Sequence, residues 1–149
     1  MAVTLSAICA VVLLIVLVLW NRRVKARREI EHYSISPEGL QTLFASSQEV
    51  LLFDVRLPLD LLANAVIIPG AVRLAPKEVL ENPSLIPKEQ DAIVYCTCPS
   101  DKTSRTILQR ALRLGFQRIR FLKGGLEGWK AHGFPVEPYQ TAFHLDTGT

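Results

Sequence analysis

The order of apolar runs along this chain constrains its fold most strongly. Three β-type runs, Val50–Phe53, Ala92–Tyr95 and Arg118–Leu122, are separated by segments that repeat apolar residues at helical spacing. The first is continuously apolar, as expected for a strand that is covered on both faces. Strands that alternate with helices over short loops predict a parallel sheet joined by right-handed crossovers. We therefore expect an α/β fold, a parallel sheet flanked by helices on both faces.

Helix boundary signals support this order. Ser36 is a predicted N-cap followed by Pro37 at the first helical position, and Gly115 is expected to stop a helix that starts near Ser104. The remaining predicted elements are a short helix from Leu59 to Ala63, a strand from Ala71 to Leu74, a helical turn from Pro76 to Leu80 and a last helix from Leu126 to Ala131.

The N-terminal segment predicts a membrane anchor. Residues 2–20 carry no charge, and Val11–Leu19 is continuously apolar, which is about long enough for a helix to cross a bilayer. A cleaved signal peptide is the weaker interpretation, because no basic residue precedes the run and no small-residue cleavage pattern follows it. We therefore predict one uncleaved transmembrane helix over residues 1–20.

A basic block follows the apolar run directly and forms a predicted linker over residues 21–33. It contains Arg22, Arg23, Lys25, Arg27 and Arg28. These outnumber Glu29 and Glu31 by three, which equals the net charge of +3 of the whole chain. The rest of the chain is therefore neutral, and no nucleic-acid partner is expected. Basic residues beside a membrane span stay on the cytoplasmic side, so we predict a cytoplasmic domain on a single-pass protein.

A cysteine pair lies where a predicted strand meets a predicted helix. Cys96 and Cys98 follow the run Ala92–Tyr95, and Thr103 or Ser104 is the predicted N-cap of the next helix. Unsatisfied N–H groups at a helix start stabilise a thiolate and lower the pKa of its thiol from about 8.5. This junction therefore predicts a nucleophilic sulfur.

The two cysteines also have alternative roles. Zinc requires about four ligands, whereas the remaining candidates, Cys9, His32, His132 and His144, are scattered along the sequence. We therefore expect no metal site and no cofactor. A reducing cytoplasm disfavours a structural disulfide, although the pair could act as a redox couple. Packing alone is the more favoured role for Cys96.

Ligands of open α/β sheets bind beyond the carboxyl ends of the strands. Three polar or glycine-rich segments follow predicted strands in this way. They are Asp54-Val55-Arg56, the Cys96–Ser104 loop and Lys123-Gly124-Gly125. We expect all three at one edge of the sheet, with Asp54 capping the next turn and Arg56 pairing with a carboxylate.

These segments carry a resemblance to a known family. Four motifs match a single rhodanese domain in order from about Ser36 to Pro138. They are Leu52-Phe53-Asp54-Val55-Arg56, Ile68-Pro69-Gly70-Ala71, Val94-Tyr95-Cys96-Thr97-Cys98 with Ser104, and Leu122-Lys123-Gly124-Gly125-Leu126-Glu127-Gly128-Trp129. The predicted domain covers residues 34–138, and residues 139–149 form a predicted flexible tail.

The resemblance implies a sulfurtransferase of the thiosulfate type, with a small sulfur donor and a thiol or other sulfur acceptor as substrates. The family's spacing from nucleophile to helix serine, counted back from Ser104, selects Cys98, whereas the strand-end spelling selects Cys96. The implied sulfur cradle is Ser100, Asp101, Lys102, Thr103 and Ser104, and the implied supporting residues are Asp54, Arg56, Gly124 and Gly125. The anchor also admits a membrane protein partner.

The loop departs from the family's pattern at two positions. Thr103 holds the place of the loop arginine, and Pro99 removes one N–H group, although Lys102 or Arg105 could partly replace the missing charge. Two alternatives therefore stay open: a weak or inactive binding module, and a Cys96/Cys98 thiol–disulfide pair. A phosphatase is disfavoured, because Arg105 lies seven residues after Cys98, beyond the loop.

Overall fold

A computed structural model describes residues 2–97 and 101–140, with side chains described throughout except at positions 2–6 and 29. The chain forms two units, Met1–His32 and Tyr33–Thr149. The N-terminal unit is one helix, α1 (Ala2–His32). At 1.5 Å per residue, its 31 residues extend for about 46 Å, whereas the hydrocarbon core of a bilayer is about 30 Å thick.

The segment Ala7–His32 of α1 is a candidate membrane span by length and composition. The side chains of Ile8 and of Val11–Leu19 are exposed, and none of the apolar window is buried within the structure. A signal sequence near the N-terminus has the same properties, so the helix by itself establishes only that the segment could span a membrane.

The second unit contains a parallel five-stranded sheet, flanked by helices, with the strand order β1-β6-β5-β2-β4. Its elements are β1 (Ser34–Ile35), α2 (Pro37–Ala45), β2 (Leu51–Asp54), α3 (Pro58–Ala63), β3 (Val66–Ile67), β4 (Val72–Arg73), α4 (Pro76–Glu81), a 3-10 turn (Pro83–Leu85), β5 (Ala92–Tyr95), α5 (Lys102–Arg113), β6 (Ile119–Leu122), α6 (Gly125–Ala131) and β7 (Glu137–Pro138). The predicted α/β class with a parallel sheet is confirmed.

The strand register brings three strand ends to the same level. Asp54 lies opposite Tyr95 in the β2–β5 pair, and Val94 lies opposite Phe121 in the β5–β6 pair. The strands are parallel, so the segments that follow β2, β5 and β6 leave the sheet at one edge. The predicted convergence of these three segments is therefore confirmed.

The central strand β5 is buried along its whole length, which explains its continuous apolar sequence. Trp129 of α6 is 1% exposed and packs against Phe44 and Phe134, with ring centroids 6.0 and 4.7 Å away. Its indole N–H donates to the carbonyl oxygen of Pro135 over 2.8 Å. Trp129 is thus a core residue.

Two helix starts show where local rules hold and where they fail. Ser36 is the N-cap of α2, and its hydroxyl accepts a hydrogen bond from the N–H of Gly39 over 3.1 Å. The N-cap predicted at Thr103 or Ser104 is wrong, because α5 begins at Lys102 after Asp101. A left-handed turn at Asp101, with φ +54°, redirects the chain before either hydroxyl residue is reached.

Candidate functional site

A buried ion pair supports the exit of β2. Arg56 and Asp54 are both fully buried, and the guanidinium donates to the carboxylate through Nε at 2.9 Å and Nη2 at 2.5 Å. The N–H of Arg56 also donates to Asp54 Oδ1 over 3.0 Å, which caps the turn. The remaining guanidinium donors bond the carbonyl oxygens of Asn64 and Val66 over 2.9 and 2.6 Å. The expected turn cap and ion pair are confirmed, with Asp54 supplying both.

Tyr95, the last residue of β5, joins this pair. Its hydroxyl donates to Asp54 Oδ2 over 3.2 Å and accepts the N–H of Ile68 over 3.2 Å. Burial, reinforced by the nearby Asp54 charge, raises the pKa of the phenol far above its ordinary value. Tyr95 therefore stays neutral and fixes the end of β5 against β2 and the turn at Ile68.

Cys96 follows Tyr95 and is 1% exposed. Its carbonyl oxygen accepts a hydrogen bond from the N–H of Leu126 at the start of α6 over 3.0 Å. Gly125 lies so close that a Cβ there would be 1.8 Å from this oxygen, and its φ is +52°. Only glycine accommodates both the close approach and the left-handed backbone without a shift.

Asp101 lies at the other end of the loop and is 7% exposed. Its Oδ2 accepts the N–H of Gly124 over 3.0 Å, a contact between residues 23 positions apart in the sequence. The segment Gly124–Leu126, at the start of α6, thus contacts the loop that follows β5 at both of its ends.

The first three side chains of α5 become progressively more buried along the chain. Lys102 is exposed, Thr103 is half-buried and Ser104 is fully buried. Ser104 Oγ has no hydrogen-bond partner within residues 2–97 and 101–140. The guanidinium carbon of Arg105 lies 4.7 Å from the centre of the Phe121 ring on β6, a cation–π distance. This end of the helix therefore combines a buried hydroxyl with a nearby positive charge.

Three loop residues of the sequence analysis, Cys98, Pro99 and Ser100, lie outside the described residues. The other predicted site residues lie in segments that leave the same edge of the sheet. Sequence reasoning missed two contributors, the Tyr95 hydroxyl and the N–H of Leu126. Their partners come from other segments of the chain, so no local sequence signal could have identified them.

Metal binding requires several suitable side chains in one place. Within the part of the chain that the structure describes, no three His, Cys, Asp or Glu residues are grouped closely enough to hold a metal ion.

Comparison with known proteins agrees with this geometry. Residues 36–132 match the sequence model of the rhodanese-like domain. The chain belongs to the rhodanese family. A sulfurtransferase of Allochromatium vinosum is 31% identical to it over 102 residues, which cover 68% of this chain and 92% of that protein. Sulfur transfer is therefore the activity that the family assignment supports.

Solved structures share the rhodanese fold. A full-length protein from Lactobacillus plantarum superposes with a TM-score of 0.66 at 21% identity and covers 79% of this chain and 98% of its own. A thiosulfate sulfurtransferase from Pseudomonas aeruginosa gives a TM-score of 0.60 at 26% identity, over 76% of this chain and 22% of its own. The rhodanese domain described here thus corresponds to only part of that larger enzyme.

Proposed function

We propose that this protein is a membrane-anchored sulfurtransferase that moves a sulfane sulfur atom from a donor such as thiosulfate to a thiophilic acceptor. The observation that carries the proposal is the contact of both ends of the cysteine loop with the Gly124–Leu126 turn, at the carboxyl edge of a rhodanese sheet. A loop held at both ends suits a reaction in which one sulfur atom must be presented and then released.

The proposed reaction has two displacement steps. The Cys98 thiolate attacks the outer sulfur of thiosulfate, a new S–S bond forms, and sulfite leaves with the electrons of the broken bond. The enzyme then carries a persulfide on Cys98. A thiophilic acceptor attacks its terminal sulfur, which restores the Cys98 thiolate and requires no external oxidant or reductant.

The burial of Cys96 makes it the less suitable nucleophile of the two cysteines. A residue that is 1% exposed offers almost no surface to a dissolved donor, and this is the environment of Cys96. Buried cysteines without access to solvent are inert. We therefore assign Cys96 a packing role and keep Cys98 as the nucleophile that the loop spacing predicts.

The sulfur cradle of this proposal is formed by residues 100–104. The N–H groups of Lys102, Thr103 and Ser104 belong to the first turn of α5, at the positive end of the helix dipole. Such donors stabilise a thiolate or persulfide anion. The buried Ser104 hydroxyl is a further donor suited to that anion. Asp54, Arg56, Gly124 and Gly125 support the surrounding backbone.

Turnover measurements test the reaction. Full-length protein in detergent is incubated with thiosulfate or an organic persulfide together with cyanide or a thiol acceptor, and the transferred sulfur is quantified. We expect turnover with at least one donor, its loss in Cys98→Ser and its retention in Cys96→Ser. No transfer from any donor would favour a binding module. Loss of transfer in both variants, together with a Cys96–Cys98 disulfide in the wild-type protein, would favour the redox pair.

The proposal also places α1 in a membrane, with the rhodanese domain in the cytoplasm. Support comes from the candidate span Ala7–His32 and from the basic block that follows its apolar part. The double variant Leu13→Arg/Val16→Arg should lose retention in alkali-extracted membranes, because each central arginine costs about 3 kcal/mol in the bilayer. The matched variant Leu59→Arg changes an exposed leucine of α3 and should remain membrane-bound. Protease added to spheroplasts tests the orientation, because a cytoplasmic domain is protected from it.

A further inference from the structure

The cysteine loop is fastened to one short turn at two points. On the strand side, the carbonyl oxygen of Cys96 accepts the N–H of Leu126 over 3.0 Å. On the helix side, Asp101 Oδ2 accepts the N–H of Gly124 over 3.0 Å. The two donors are only two positions apart in the chain. The Gly124–Leu126 turn therefore fixes the distance between the two ends of the segment that carries Cys98.

We propose that Asp101 is a positioning residue for sulfur transfer, and that its carboxylate fixes the start of α5, which follows Cys98 in the sequence, to the Gly124–Leu126 turn. The inference rests on the proposed function, in which Cys98 is the nucleophile. The Asp101 carboxylate does not contact the transferred sulfur in this role. It acts by fixing the backbone three residues after Cys98.

The hydrogen-bond partner of the Asp101 carboxylate is unusual for a residue that precedes a helix. An aspartate that precedes a helix normally accepts hydrogen bonds from the first N–H groups of that same helix. Asp101 precedes α5 but makes no side-chain cap bond to it, and its carboxylate instead reaches Gly124. The cross-loop bond thus replaces the usual cap, which indicates a role in joining two segments.

The backbone of Asp101 limits which residues can replace it. Its φ of +54° and ψ of 33° lie in the left-handed region, which glycine, asparagine and aspartate tolerate best. A buried carboxylate also needs hydrogen bonds to offset its lost hydration. Aspartate and asparagine combine the left-handed backbone with an acceptor at the right distance, whereas glycine keeps only the backbone.

This difference gives a clean test with matched variants. Asp101→Asn keeps both the left-handed backbone and an acceptor, whereas Asp101→Gly keeps the backbone alone. Ser47→Gly controls for a glycine introduced at a φ of +54°, in a turn after α2. Asp91→Asn controls for removal of a carboxylate, because Asp91 precedes β5 at its opposite end and pairs with Arg118.

Two rates are measured in the full-length protein by peptide mass: persulfide formation on Cys98 with thiosulfate, and alkylation of Cys98 by iodoacetamide from pH 5 to 9. A loop misplacement of about 1 Å can cost on the order of 100-fold in rate. We expect Asp101→Gly to lower the rate of persulfide formation at least about tenfold and to shift the pH profile of alkylation. Asp101→Asn should keep at least about fivefold more of this rate than Asp101→Gly, and both control variants should stay within about twofold of wild type in the same assays.

Each contrary result has a distinct meaning. Wild-type reactivity in Asp101→Gly would overturn the proposal, and so would an equal loss in Asp101→Asn, because charge rather than the hydrogen bond would then matter. If Asp101→Gly does not fold, Asp101→Glu tests the same point, since it keeps the charge but moves the carboxylate. Absence of any persulfide in wild type would refute the proposed function, while the alkylation profiles would still decide the role of Asp101.

Discussion

A Cβ atom on Gly125 would lie 1.8 Å from the carbonyl oxygen of Cys96. The same carbonyl oxygen accepts the N–H of Leu126 over 3.0 Å, so the approach of the two segments is a bonded contact. Gly124 and Gly125, at the start of α6, therefore position the loop after β5 as well as the helix itself.

This contact predicts that Gly125→Ala is strongly disruptive. The added methyl group displaces the Cys96 backbone and also strains a residue whose φ is +52°. We expect a loss of more than about 3 kcal/mol in the free energy of unfolding, together with loss of Cys98 reactivity. Denaturant unfolding measures the first quantity and alkylation measures the second.

Gly133→Ala is the matched control for that variant. Gly133 has a φ of +72°, but a Cβ there would meet no atom within 4 Å. Its cost should be only the left-handed penalty of about 1–2 kcal/mol. Equal losses in the two variants would contradict the importance of the contact with Cys96.

Removal of Arg56 should destabilise the domain severely. Arg56→Met leaves the fully buried Asp54 carboxylate without its cation and leaves the carbonyl oxygens of Asn64 and Val66 without their donors. Breaking one side of a buried ion pair costs about 3–5 kcal/mol. Denaturant titration checks this value.

The exposed pair between Arg118 and Asp91 supplies the comparison, because its side chains are 56% and 40% exposed. Arg118→Met should cost less than about 1 kcal/mol. A loss in Arg56→Met no larger than that in Arg118→Met would refute the structural role of the buried pair.

The pair between His132 and Glu38 predicts a pH-dependent contribution to stability. The Gly128 carbonyl oxygen and then the Glu38 carboxylate raise the pKa of His132 above its ordinary value of 6.5. Its Nδ1 and Nε2 each lie 2.7 Å from one of these acceptors, so the protonated ring can donate to both. This contribution is fully present below pH 6.5 and is lost as the pH rises through the raised pKa.

The pKa of Glu38 determines the lower pH limit of this contribution to stability. Its own backbone hydrogen bond, and then the Ser36 hydroxyl, lower its pKa below the ordinary 4.5. Its contribution is present above pH 4.5 and is lost as the pH falls through the lowered pKa. Unfolding curves of wild type and His132→Gln should therefore differ most between pH 4.5 and 6.5 and converge once the pH exceeds the raised pKa of His132. A difference that stays constant up to pH 9 would contradict this account.

The sequence predicted the long elements and the sheet but not the small ones. β-type runs identified β2, β5 and β6 because each strand has four residues, of which at least three are buried. The antiparallel pair of β3 and β7 has two residues per strand, too few to show any period. Its pairing depends on long-range contacts that a local pattern does not contain.

Prediction within the site failed where backbone conformation decides the outcome. Thr103 and Ser104 are favourable N-cap types, yet α5 starts at Lys102 because Asp101 adopts a left-handed turn. The Tyr95 hydroxyl bonds Asp54 and Ile68, residues 41 and 27 positions away in the chain. Its sequence context indicated only a buried strand. The proposed choice of Cys98 rather than Cys96 rests on the family's loop spacing together with the burial of Cys96.

The central claim is that Cys98 carries a transferable sulfur atom. Incubating the full-length protein with thiosulfate and measuring intact and peptide masses tests it most directly, with Cys98→Ser and Cys96→Ser compared under the same conditions. The account predicts a gain of one sulfur atom on the peptide that contains Cys98, retained in Cys96→Ser and absent in Cys98→Ser. A gain that disappears only in Cys96→Ser would contradict the assignment of the nucleophile, and no gain from any sulfane donor would contradict the sulfurtransferase account.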